Sequence, residues 1–207
     1  KLRKFDTIFY NFCVIFDRYY FAGCEMNFNH NRVDNNSFPT KGMNFDVTMG
    51  AKMNTNNTNR YFGYLKTSLA IYQNLVPNRS LVYATEVGSH LNFKNRFEIY
   101  HAASIGGNRN LRGYNNQRFT GTESFYHTND LRLRLGSFKA FIPMRVGVTG
   151  GFDYGKVWSP FAAQSNTWNS SYGGSFWLSG LDMFTANLAL FNGDDGSRFT
   201  FSLGFNF

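Results

Sequence analysis

The sequence predicts an all-β chain of the transmembrane antiparallel β-barrel class, and three observations point there. Apolar and polar residues alternate with period two along segments of about ten residues or more, the length a tilted strand needs to cross a bilayer. The chain is polar on average, with mean hydropathy −0.36, yet 19% of its 207 residues are aromatic. No apolar run approaches the ~18–20 residues of a membrane helix. A barrel wall accounts for all three, because one face meets lipid, the other meets water, and aromatic girdles sit at the interfaces. A soluble β-sandwich with an aromatic core shares the composition. Its strands, however, average only ~5–6 residues, and its inner faces are dry rather than charged.

The strands follow in order. Met43, Phe45, Val47, Met49, Ala51 and Met53 alternate with Asn44, Asp46, Thr48, Gly50, Lys52 and Asn54. Before them, Tyr20, Ala22, Cys24, Met26 and Phe28 oppose Glu25, Asn27 and Asn29. Tyr61–Tyr72 and Ser80–Phe93 alternate less cleanly and carry Lys66, Glu86 and His90 as lumen candidates. Leu131, Leu133 and Leu135 oppose Asp130, Arg132 and Arg134, while Met144, Val146, Val148 and Phe152 oppose Arg145, Thr149 and Asp153. Gly173–Asp182 and Met183–Asn192 read as two more strands. The last strand sets Phe199, Phe201, Leu203, Phe205 and Phe207 against Arg198, Thr200, Ser202, Gly204 and Asn206. It is the candidate closing strand, and Gly204 weakens its packing.

That makes about nine strands by pattern. Residues 1–18 hold an apolar segment, Phe5–Phe16, without alternation; a partial tenth strand and a segment lying at the membrane surface both suit it. Residues 19–207 are read as the C-terminal part of a barrel. Val76–Arg79 and Lys139–Phe141 read as short turns on one side. Asn29–Lys41, Lys94–Thr122 and Ser159–Tyr172 read as long polar loops on the other.

Other function classes find little support. The net charge of +8 comes from scattered Lys and Arg, with no basic run beyond Lys1–Lys4. Charges lining a watery lumen explain it better than a nucleic-acid partner. Cys13 and Cys24 are too few for a disulfide framework or a four-ligand zinc site. Cys24 falls on the outward, apolar parity and reads as a free thiol. The four histidines are dispersed, and no G-x-S-x-G elbow is present. Asp194-Asp195 lacks the spaced oxygen ligands of a calcium loop and reads as a solvated turn. The sequence therefore suggests no catalytic site, metal or cofactor. Export requires a leader, and none precedes Lys1, so a processed product or part of a longer chain is expected.

Four motifs occur in order. Asn31-Arg32-Val33-Asp34-Asn35 is followed by Phe38-Pro39-Thr40-Lys41-Gly42. The longest loop, 94–122, contains Gly106-Gly107-Asn108-Arg109-Asn110-Leu111-Arg112-Gly113-Tyr114 and then Arg118-Phe119-Thr120-Gly121. Asn129-Asp130-Leu131-Arg132 comes next, and Gly151-Phe152-Asp153-Tyr154-Gly155-Lys156-Val157-Trp158 follows. Together with the aromatic last strand, this set resembles the BamA/TamA/FhaC superfamily of outer-membrane assembly and secretion barrels, over roughly Tyr20 to Phe207. The resemblance implies a barrel of about sixteen strands, of which the remainder would come from preceding sequence or another chain. It also implies a long loop folded into the lumen, where Arg112, flanked by Gly113 and Tyr114, pairs with Asp130 and Asp153. Both carboxylates lie on lumen-facing parity, and an arginine fork suits them. Gly113 is expected to let the loop turn tightly. Two residues depart from the family pattern: Asp130 replaces a Glu and shortens the reach, and Gly151 stands where some members have an aromatic.

The resemblance further implies a multi-pass protein of the bacterial outer membrane. Its partners would be membrane lipid, client outer-membrane or secreted proteins, and accessory lipoproteins or N-terminal POTRA domains. The leading reading is an assembly barrel that templates client strands at a seam formed by Phe199, Phe201, Gly204, Phe205 and Phe207. A two-partner-type secretion pore and a membrane anchor for an enzyme domain share the motifs. A plain diffusion porin does not share the loop.

Overall fold

The computed structural model describes residues 6–8, 12–14, 19–36, 38–57, 59–78, 80–93, 98–139, 142–159, 167–180 and 184–205. Nine long strands form one antiparallel sheet. They are β3 (Tyr19–Val33), β4 (Gly42–Asn54), β5 (Tyr61–Asn74), β6 (Leu81–Phe93), β9 (Glu123–Lys139), β10 (Pro143–Trp158), β11 (Trp168–Gly180), β12 (Phe184–Gly193) and β13 (Gly196–Phe205). Two short pieces, β1 (Asp6–Ile8) and β2 (Phe12–Val14), pair with β3 along its free edge. Asp6 opposite Asn27 and Val14 opposite Tyr19 belong to one register. Between β6 and β9, a 3-10 turn (Ile99–His101) leads to a small hairpin of β7 (Ala103–Ile105) and β8 (Phe119–Gly121).

Burial is inverted relative to a water-soluble protein, which places its large apolar side chains inside. The outward parity exposes Met26, Met49, Ile71, Leu135, Tyr172, Phe176, Leu190, Phe199 and Phe201. The inward parity buries Asn54, Asn92, Ser124, Asp153 and Ser171. An extended apolar exterior over strands of 10–17 residues is suited to lipid, not water. Cys24 is free and exposed on that exterior.

The sheet curls toward its polar face. Strands sit about 4.8 Å apart, so β4 and β11 are roughly 24 Å apart measured along the sheet. Yet Phe38, just before β4, lies against Trp177 of β11 as a tilted ring pair with centroids 4.3 Å apart. A concave interior results, and the β7–β8 hairpin lies inside it, packed on β6, β9 and β10.

Strand direction corrects one expectation. Antiparallel order puts the β3–β4, β5–β6, β9–β10 and β11–β12 connections at one end of the sheet. The 34–41 connection therefore lies with the short turns, opposite the 94–122 loop, and not beside it. Its length misled, because loop length carries no information on strand direction. Two boundaries also shift: β3 continues to Val33, and β11 starts at Trp168, shortening the loop before it.

Candidate functional site: the arginine loop and the terminal hairpin

Local chemistry shapes the loop before anything holds it. Gly106 and Gly107 have φ of +117° and +106°, values that side-chain-bearing residues avoid. Asn110 Oδ1 accepts from the backbone N–H of Gly106 (2.8 Å) and Leu111 (2.9 Å), closing the turn. Leu111 and Tyr114 then bury themselves against Ile105 and Val157, with Phe119 and Tyr126 packed around them. Full burial of such a side chain contributes about 1.5–3 kcal/mol. This small apolar core inside the lumen seats the loop on β10.

Arg112 projects from that seat. Its Nη2 donates to Asp153 Oδ1 (2.6 Å), and its Nε donates to Asp153 Oδ2 (2.9 Å). The Arg112 backbone N–H (3.1 Å) and the Ser171 hydroxyl on β11 (3.0 Å) also donate to Oδ2. Asp153 is fully buried. The same Nη2 lies 2.8 Å from Asp130 Oδ1, while Asp130 Oδ2 faces Arg132 at 3.4 Å. One guanidinium thus spans carboxylates on adjacent strands. Its plane lies over the Phe191 ring of β12, 4.1 Å from the centroid, a favourable cation–π position.

Gly151 makes this possible. It pairs with Asp130 across β9–β10, and a Cβ there would lie 2.5 Å from Arg112 Nη2 and 2.9 Å from Phe191. The departure from an aromatic at this position is the space the guanidinium occupies. Gly113 needs correcting: its φ is not positive. It is small because a Cβ would lie 2.7 Å from the Asn192 backbone and 2.8 Å from Gly193 N. Close approach, not a tight turn, is what requires glycine.

That approach brings the loop onto the β12–β13 hairpin, a contact the sequence reading did not anticipate. Tyr114's hydroxyl accepts from the Asp194 N–H (3.1 Å), and Ser170 O (3.1 Å) or Asp194 Oδ2 (3.2 Å) can take its proton. Arg118 forks onto Asp195, with Nε–Oδ2 2.5 Å and Nη2–Oδ1 3.2 Å. The hydrogen bond from Arg118 holds the Asp195 carboxyl below its usual range. Arg198 on β13 donates to the Arg112 carbonyl at 3.3 Å. So the pair read as a solvated turn, Asp194-Asp195, is where the loop docks. The signal available in sequence was Phe191, an aromatic on inward parity among polar neighbours.

The seam residues stand differently. Phe199 and Phe201 are exposed at 67% and 61%. Gly204 opposes Thr185, and a Cβ there would meet only Thr185 O at 3.9 Å, so no close packing calls for glycine. Phe205 pairs with Phe184, and Phe207 lies outside the described residues. Among the described residues, β13 has no partner on its second edge, and no group of His, Cys, Asp and Glu could hold a metal.

A curled wall with apolar residues outside and an arginine loop inside is the build of an outer-membrane β-barrel of the BamA/TamA/FhaC superfamily. Within that class, the chain belongs to the family of haemolysin secretion/activation proteins ShlB/FhaC/HecB, whose model matches residues 8–180. It is similar in fold to the crystal structure of BamA from Haemophilus ducreyi lacking POTRA domains 1–3, at 15% identity and a TM-score of 0.67. That match covers 88% of this chain and 41% of the BamA chain. No curated protein matches the chain significantly.

Proposed function

We propose that this chain is the loop-bearing part of a bacterial outer-membrane translocation barrel of the two-partner type, in which release of the 98–122 loop opens the lumen to a secreted client polypeptide. The supporting observation is the docking of that loop across the concave face, onto Asp130 and Asp153 at one point and onto the β12–β13 hairpin at another. The family description, with secretion in its name, favours this reading over assembly. Arg112 acts as the lock, Gly113 and Tyr114 as its seat, and Asp130 and Asp153 as its receivers. Lipid surrounds the wall, and POTRA domains or accessory lipoproteins would deliver the client.

Seam templating of client strands is the second reading. It rests on the likeness in fold to BamA, with β13 as the strand whose edge would recruit a client strand. Residues 6–8 and 12–14 belong in either case to the strand flanking β3.

The deciding experiment uses the full-length protein carrying Arg112→Ala. The secretion reading expects altered channel conductance in planar bilayers and loss of client release, with normal amounts of other folded outer-membrane barrels. A fall in those other barrels, with client release intact, would sink it and support assembly.

A further inference from the structure

We propose that the 34–41 turn is a second closure of the same lumen, at the end opposite the arginine loop, with Phe38 as its plug and Arg132 joining the two closures. The inference rests on the translocation reading above and adds a site to it.

The turn is built to project inward. Asp34 accepts from Thr40 N–H (2.8 Å), Thr40 Oγ1 (2.5 Å) and Lys41 N–H (3.0 Å). Asn35 Oδ1 accepts from Phe38 N–H at 3.0 Å. Gly42, with φ of +124°, turns the chain back into β4. A side-chain carboxylate and amide thus replace the ladder bonds a tight hairpin would make. The eight-residue excursion would be wasteful if it merely reversed direction. Its apolar residue is Phe38, and the ring crosses the interior to Trp177, which is 3% exposed.

Nothing about this contact is local. β4 and β11 are separated by β5, β6, β9 and β10 in the sheet. A ring bridging them closes the path along the lumen between those strands. The Trp177 indole N–H has no acceptor among the described residues. Withdrawal of the turn would give it water, which offsets part of the lost ring contact.

Arg132 is shared between the two closures. Its guanidinium lies 5.1 Å from the Phe38 ring and 5.6 Å from that of Tyr72, and it faces Asp130. It lines both interior cavities. One, of about 380 Å³, lies beside Arg109 and Arg112; the other, of about 130 Å³, lies beside Phe38 and Trp177. Loss of Arg112 leaves Asp130 with Arg132 as its cationic partner, so Arg132 is drawn away from Phe38. Arg132 is a positioning residue here: it acts through the ring and carboxylate it touches.

The test is single-channel recording on the full-length protein in planar bilayers, with heat-modifiable mobility on gels to verify folding. Phe38→Ala is expected to raise the frequency of open events several-fold with the arginine loop intact, and Phe38→Trp to restore closure. If Phe38→Ala does not fold, Phe38→Leu keeps the apolar volume without the flat ring and should give the same rise. A folded variant with unchanged openings overturns the second closure, provided Arg112→Ala opens the channel in the same assay. If neither does, the translocation reading itself has failed. Coupling is read separately, by amide hydrogen exchange of residues 34–41 in Arg112→Ala. Faster exchange supports the role of Arg132, and unchanged exchange removes it.

Discussion

At one end of the lumen the described contacts centre on a charge pair, and at the other on an aromatic ring. A fully buried Asp153 accepts from three donors of Arg112 and from the Ser171 hydroxyl. Phe38 meets the Trp177 ring at a tilt and has the Arg132 guanidinium 5.1 Å from its centroid. The two devices differ in what their loss leaves behind. Removing Phe38 leaves Trp177 beside a cavity lined by Thr40, Ser80 and Arg132, with space for water. Removing Arg112 leaves a buried carboxylate without its cation, which is the costlier residue of any broken pair. The charged lock therefore suits a closure that must be specific, and the aromatic one suits a closure that must be easily reversed.

Four measurements probe that contrast. The largest effect is expected for Arg112→Ala, at about 3–5 kcal/mol of loop docking, read as accelerated hydrogen exchange across residues 98–122. Arg112→Lys should recover little, because an ammonium cannot span Nε and Nη2 positions together. Next is Gly151→Ala, whose methyl would occupy guanidinium space and cost about 1–3 kcal/mol as overpacking. The same exchange experiment reports it. If Gly151→Ala leaves loop protection intact, the fork is not as tightly seated as the distances indicate.

Tyr114→Phe should be milder. It keeps the ring in its apolar seat and loses the hydroxyl's contacts to Asp194 and Ser170, about 1 kcal/mol. The loss should localise to the contact with the β12–β13 turn, seen as faster exchange at residues 193–196. Should Tyr114→Phe loosen the loop more than Arg112→Ala, charge is not what distinguishes this end.

The smallest effect concerns Arg118 and Asp195, both well exposed. Arg118 depresses the Asp195 carboxyl, so its folded-state value lies below the unfolded one. The contribution is complete above the unfolded value and disappears as acid takes the pH through the folded one. Asp195→Asn at neutral pH should reproduce the acidified state, with high salt weakening the wild-type contact in the same direction. Exchange at residues 117–119, compared between pH 7 and acid, checks the sign.

The strands were legible because lipid and water impose opposite preferences on alternating positions. Met43 to Asn54 could be split into two faces by parity alone, and the structure keeps that split in β4. Arg112, Asp130 and Asp153 were also legible as a set, the carboxylates by their parity and the arginine by the motif around it. The spatial reach of the loop was not legible. Arg118 and Asp195 are 77 residues apart, and Tyr114 and Asp194 are 80 apart. Each lies in a loop or turn, where no periodicity assigns a side chain to a face.

The sequence by itself determined an antiparallel wall with an apolar outside and a charged inside, since a period of two needs only neighbouring residues to express it. It also placed the arginine on a loop too long for a hairpin turn. Only the tertiary structure decided which end each connection occupies, that Gly151 is the room for the guanidinium, and that the loop rests on the last hairpin. It alone brought Phe38 across to Trp177. Those facts depend on strand order and on the curl of the sheet, which bring together residues that the local pattern treats as unrelated.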